Sequence, residues 1–80
     1  MDLVMKYIVV EVVNGGPAPI LFPVFIQHVH MALDVGFPVR SAGWVKVKNG
    51  DVITYGDSIS PNTEPHPDDA KLIRSYLMVD

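Results

Sequence analysis

The side chains most able to do chemistry cluster in FIQHVHMALDVG, residues 25–36, where two of the three histidines stand two positions apart. On a strand, residues i and i+2 face the same way and His28 and His30 could chelate one ion; on a helix they lie about 200° apart and cannot. The surrounding pattern favours the helix. Ile26, Val29, Ala32 and Leu33 share one side of a helical wheel over residues 27–35, and Gly36 with Pro38 beyond it marks a helix C-terminus. A helical zinc pair needs i, i+4 spacing, which no pairing of His28, His30 and His66 offers. Both rings are therefore expected to flank the apolar stripe without entering it, with His30 four residues before Asp34 and within reach of a surface ion pair. No metal is expected, the alternative being a site completed by His66 or by carboxylates.

A second stretch, YGDSIS at residues 55–60, resembles the first sequence block of the GDSL esterase and lipase family. That match implies Ser58 as a nucleophile. It covers six residues, whereas the family continues through blocks that supply oxyanion donors and an Asp-x-x-His pair, and no Asp-x-x-His occurs in this chain. A serine nucleophile needs a base in hydrogen-bond reach and a third group to orient that base. Only His66 lies downstream of Ser58, in a proline-rich stretch, so the local reading is that Gly56-Asp57-Ser58 ends a strand. Gly15-Gly16 lacks the lysine and following helix of a phosphate loop.

The elements that would position these groups are read from periodicity. Residues 5–13 are largely apolar on both sides, with Ile8, Val10 and Val12 on one and Tyr7, Val9, Glu11 and Val13 on the other, which predicts an interior strand. Residues 1–4 are expected to be a disordered extension, because Met5-Lys6-Tyr7-Ile8 would itself make a natural beginning. Residues 14–19 read as a loop and 20–25 as a second strand, with Pro23 marking its edge or its end. After the histidine helix, residues 38–47 and 51–58 form the third and fourth strands around Asn49-Gly50, whose positive-φ preference predicts a two-residue hairpin turn. Residues 59–67 hold three prolines and read as loop. A final helix follows, with Pro67 in its first turn, Asp68 and Asp69 at its positive dipole end, and Ala70, Leu72, Ile73, Tyr76 and Leu77 as its apolar stripe. The order ββαββα predicts an α+β domain spanning residues 5–80, a mainly antiparallel four-stranded sheet with two helices.

Composition narrows the function classes. Eighty residues at 49% hydrophobic allow one modest core, and with no cysteine neither disulfides nor thiolate–zinc sites can reinforce it. The net charge is −3 and the six basic residues are scattered, which argues against nucleic-acid binding. No apolar run approaches the roughly 18 residues of a bilayer span, so a cytoplasmic protein with no membrane, cofactor or small-molecule partner is expected.

The hairpin turn also sets a register, in which Lys46 opposes Ile53 and Trp44 opposes Tyr55. One face then carries Val45, Val47, Val52 and Thr54 and suits packing beneath a helix. The other carries Trp44, Ile53 and Tyr55 beside Lys46, Lys48 and Asp51. Two short helices can hardly cover both faces of such a sheet, so either they divide between the faces or one face meets another molecule. The first option makes Trp44 and Tyr55 core residues under the C-terminal helix; the second makes Trp44, Lys46, Ile53 and Tyr55 a protein-binding or self-association surface.

Taken together, KYIVVEV, FP before the helix, PVRSAGWVKV, YGDSIS and HPDDAKLI look like a group of short proteins encoded in bacterial, prophage and phage genomes. The group carries no known activity, so the resemblance implies no catalytic residues, only the context of a small accessory protein. The expectation is a non-enzymatic protein that binds a protein partner or itself, as a homodimer. The competing reading is a metal-binding or hydrolytic module built on His28, His30, Ser58 and His66.

Overall fold

In the computed structural model, which describes residues 2–56 and 63–77, the elements run β1 (Leu3–Val12), β2 (Gly16–Phe22), α1 (His28–Val35), β3 (Val39–Lys48), β4 (Asp51–Tyr55) and α2 (Asp69–Leu77). The strands form one antiparallel sheet in the order β2-β1-β3-β4. The doubly apolar β1 is thus interior, paired on both sides. The β3–β4 register is the one that Asn49-Gly50 dictates, Trp44 opposite Tyr55 and Lys48 opposite Asp51, with both turn residues at positive φ (52° and 86°).

Alternation along β1 splits the core into two layers. Tyr7 and Val9 pack with Val45, Val52 and Ile73 on the α2 side, while Ile8 and Val10 pack with Phe22 and Ala42 on the α1 side, joined by Ile26, Met31 and Val35. The helices therefore divide between the two faces, and each layer buries one side of the sheet.

Three sequence expectations need correction. Residues 3 and 4 are strand rather than extension: Leu3 and Val4 pair with Val47 and Lys46, because the ten-residue β3 offers ladder groups that far along, and Asp2 adds an ion pair to Lys46 at 3.2 Å. Strand β2 runs over Gly16–Phe22, so residues 16–19 are strand rather than loop and the strand ends before Pro23 rather than at residue 25. An edge strand accepts prolines whose nitrogens face away from the ladder, and Pro17 and Pro19 sit two apart, opposite Glu11 and Val9. Their outer edge lacks two donors and resists further strand pairing. Finally, the buried face of α1 is rotated from Val29 and Leu33, which are exposed (Leu33 at 74%), to His28, Met31 and Val35. The i, i+3, i+7 row faces the sheet because its histidine finds a carbonyl there.

Candidate functional site

Residues of even number on β1 share a side with Trp44 on β3 and Tyr55 on β4, since Lys6 pairs with Trp44 and Trp44 with Tyr55. This is the side that α1 covers, but an eight-residue helix is about 12 Å long against roughly 33 Å for the ten-residue β1. Helix α1 packs over Ile8, Val10 and Ala42 and leaves the far end open. There Trp44 is half-buried, and Ile53, Tyr55 and Val4 are 48%, 42% and 39% exposed. The Trp44 and Tyr55 rings stack across the strands, centroids 6.4 Å apart and planes 24° from parallel. The ammonium of Lys6 lies 5.3 Å from the indole centroid and donates to the carbonyl of Ile26 at 2.9 Å, pinning the segment before α1 beside the ring. Helix α2 packs on the opposite face, so Trp44 and Tyr55 are not core residues beneath the C-terminal helix. The four residues expected to form a surface do share one patch. Lys6 and Val4 belong to it as well, and a sequence without the β1–β3 register gives no sign of that.

The histidines do not converge. His28 is buried, its ring edge-on to Phe22 at 5.2 Å, and its Nε2–H donates to the Gly43 carbonyl at 2.8 Å. This corrects the expectation that the ring stays outside the apolar face. His30 is exposed. His66 caps α2 locally: its Nδ1 accepts the Asp68 N–H at 3.2 Å, while its own N–H donates to Asp69 Oδ2 at 2.8 Å, the reciprocal arrangement of a capping box. Among the described residues no group of three or more His, Asp and Glu side chains could hold a metal ion. Ser58 lies outside the described residues.

Burial holds the pKa of His28 below the usual histidine range; its bond to Gly43 opposes that shift and the charge of Lys6 adds to it. The sign of the consequence follows. The unfolded chain binds a proton at a pKa of about 6.5 and the folded ring does so at lower pH, so stability is full above about pH 6.5 and declines as pH falls toward the folded value. His28→Gln keeps an N–H donor but cannot titrate. Wild type is expected to lose more stability than this variant between pH 7.5 and pH 5, and equal losses in urea melts at the two pH values would refute the assignment.

Sequence reasoning missed the polar cluster beneath α2. Asp69 is fully buried; its Oδ1 accepts Ser41 Oγ at 2.8 Å, and its Oδ2 accepts Tyr7 Oη at 2.5 Å and the His66 N–H. Every side-chain donor and acceptor buried among the described residues has a partner. Asp69 thereby ties β1, β3 and the α2 N-terminus together at one carboxylate. No family model, curated protein or solved structure matches the chain. Among the described residues no helix is long and apolar enough to cross a membrane.

Proposed function

We propose that this protein is a non-enzymatic binding protein of the cytoplasm, that its working surface is the Trp44, Lys46, Ile53 and Tyr55 patch, and that its partner is a second copy of the same chain. A small accessory protein of phage or prophage context suits such a role. The observation that carries the reading is the open end of the α1 face: Tyr55, Ile53 and Val4 are exposed beside the half-buried Trp44 where the helix stops short. Exposed apolar side chains gathered in one patch are a feature of interaction surfaces.

The choice of a second copy follows from the two sheet edges. The β2 edge is guarded by Pro17 and Pro19, whereas β4 contains no proline and, among the described residues, has no strand beyond it. In a two-residue hairpin the pair flanking the turn is hydrogen-bonded, so Asp51, Ile53 and Tyr55 bond to β3 and Val52 and Thr54 direct their N–H and C=O outward. Antiparallel pairing with another β4, centred on Ile53, would join Val52 of each copy to Thr54 of the other. The two Ile53 side chains would then meet at the two-fold axis. Charges are compatible, because Asp51 stands against the second copy's Tyr55 and the lysines lie a strand further back. A five-residue strand is only about 17 Å long, so the interface is small and the dimer weak.

Sedimentation equilibrium from micromolar to millimolar concentration tests this. Wild type should dimerise; Ile53→Lys and Ile53→Glu should each stay monomeric and folded, and an equimolar mixture of the two should dimerise again through the opposite-charge pair. A wild type that is monomeric throughout, or a mixture that fails to associate, would overturn the reading.

A further inference from the structure

At the opposite end of the sheet, on the α2 side, a cleft of about 370 Å³ lies between α2 and the strand ends, lined by Pro17, Arg40, Asp68, Lys71, Leu72 and Ser75. We infer that this cleft binds a small organic anion through a carboxylate or phosphate group held by Arg40 and Lys71. Its volume falls within the range of small-molecule sites.

The backbone places Arg40 there by an irregularity. Ser41 pairs with Val9, but Val10 pairs with Val39, so Arg40 is the extra residue of a β-bulge. Strict alternation would send Arg40 to the face opposite Ser41. Instead its guanidinium reaches the α2 side, where Ser41 binds Asp69, and stands 3.7 Å from Asp69 Oδ1. Bulges commonly re-aim a side chain in this way.

At 3.7 Å the guanidinium is attracted to Asp69 but is not hydrogen-bonded to it, and that carboxylate already accepts three shorter bonds, from Tyr7, Ser41 and His66. Arg40 is thus oriented from behind by a buried negative charge, and since it donates no hydrogen bond among the described residues, its planar fork of donors can serve the cleft. Lys71 stands on the α2 side, and the ion pairs formed among the described residues do not include it. Ser75, one turn on, donates its hydroxyl to the Leu72 carbonyl at 2.7 Å and keeps its oxygen as an acceptor. Pro17 and Leu72 offer apolar wall, which favours an organic body over a bare ion. Asp68 also lines the cleft as an opposing charge, so the lining charge is one positive unit in balance and the affinity expected is modest.

The test is an amide-shift titration of the full-length protein with inorganic phosphate and, separately, with benzoate, each at constant ionic strength against a sodium chloride control. Saturable shifts at Arg40, Lys71, Leu72 and Ser75 are expected in both arms, tighter for benzoate. Arg40→Gln and Lys71→Gln should each weaken binding about tenfold, while Lys48→Gln, remote from the cleft, should leave it unchanged. Because Arg40 faces buried Asp69, its variant could lose stability; exposed Lys71 supplies the independent variant. Shifts that match the chloride control, do not saturate, or persist undiminished in Lys71→Gln would overturn the inference.

Discussion

Asp69→Ala should cost about 3–5 kcal/mol of folding stability, a large part of the roughly 4–12 kcal/mol that a domain of this length possesses. The substitution strands the Tyr7 hydroxyl, the Ser41 hydroxyl and the His66 N–H, all of which donate to this one carboxylate inside the protein. A buried donor left without an acceptor loses its hydration with nothing in return. Asp69→Asn keeps the shape and one acceptor oxygen, and the Ser41 hydroxyl can turn to accept from the new amide, so a smaller loss of about 1–2 kcal/mol is expected. Urea melts should show both variants with lowered midpoints and similar slopes, alanine lower than asparagine. Equal midpoints would mean that the carboxylate bonds contribute little. The same cluster predicts an alkaline response. Burial raises the Tyr7 pKa, the bond to Asp69 raises it further and the contact with Thr54 partly opposes this. The unfolded chain then releases the Tyr7 proton near pH 10 while the folded chain retains it, so stability is full below pH 10 and falls above it. Tyr7→Phe should flatten that fall.

How much of this was legible depends on the distance over which each residue acts. The Asn49-Gly50 turn is local, and its two positive-φ positions determine the pairing of Trp44 with Tyr55, so the make-up of the exposed patch could be read in advance. The interior place of β1 was equally readable, because apolar residues on both sides of a strand require a layer on each face. Asp69 shows the limit. At the head of an amphipathic helix an aspartate reads as a dipole partner in solvent, and nothing local says otherwise. Its partners Tyr7 and Ser41 lie 62 and 28 residues away, and only the sheet order brings them together. His28 shows the same limit: counted as polar it belongs outside the stripe, yet the Gly43 carbonyl 15 residues on satisfies its N–H and lets the ring pack on Phe22. Pro17 and Pro19 resembled a loop because proline excludes interior strands, and β2 is an edge only in the assembled sheet.

Gly43→Ala is the second large effect expected, a loss of about 2–3 kcal/mol or more from the addition of one methyl group. Gly43 lies in the interior strand β3 opposite Tyr7, on the α2 side. A Cβ there would stand 2.9 Å from the Pro65 ring, 2.9 Å from the Tyr55 carbonyl oxygen and 3.1 Å from the Tyr7 ring. Two of these neighbours resist displacement. The Tyr55 carbonyl belongs to the ladder that holds β4, and the Tyr7 ring is fixed by its bond to Asp69. Pro65 is the softest of the three. It follows Glu64, whose carbonyl accepts the Ala42 N–H at 3.4 Å, a long bond with little to lose. The methyl group should therefore lift residues 63–65 away from β3 before it parts the strands, and because His66 caps α2 through Asp69, the start of that helix should loosen with it. Hydrogen exchange distinguishes this from a general loss of stability: Ala42 and the first turn of α2 should exchange faster than the β1–β3 ladder. A Gly43→Ala protein with wild-type stability and uniform protection would show that the space is there, and that the close approach of Pro65 is not what makes glycine necessary.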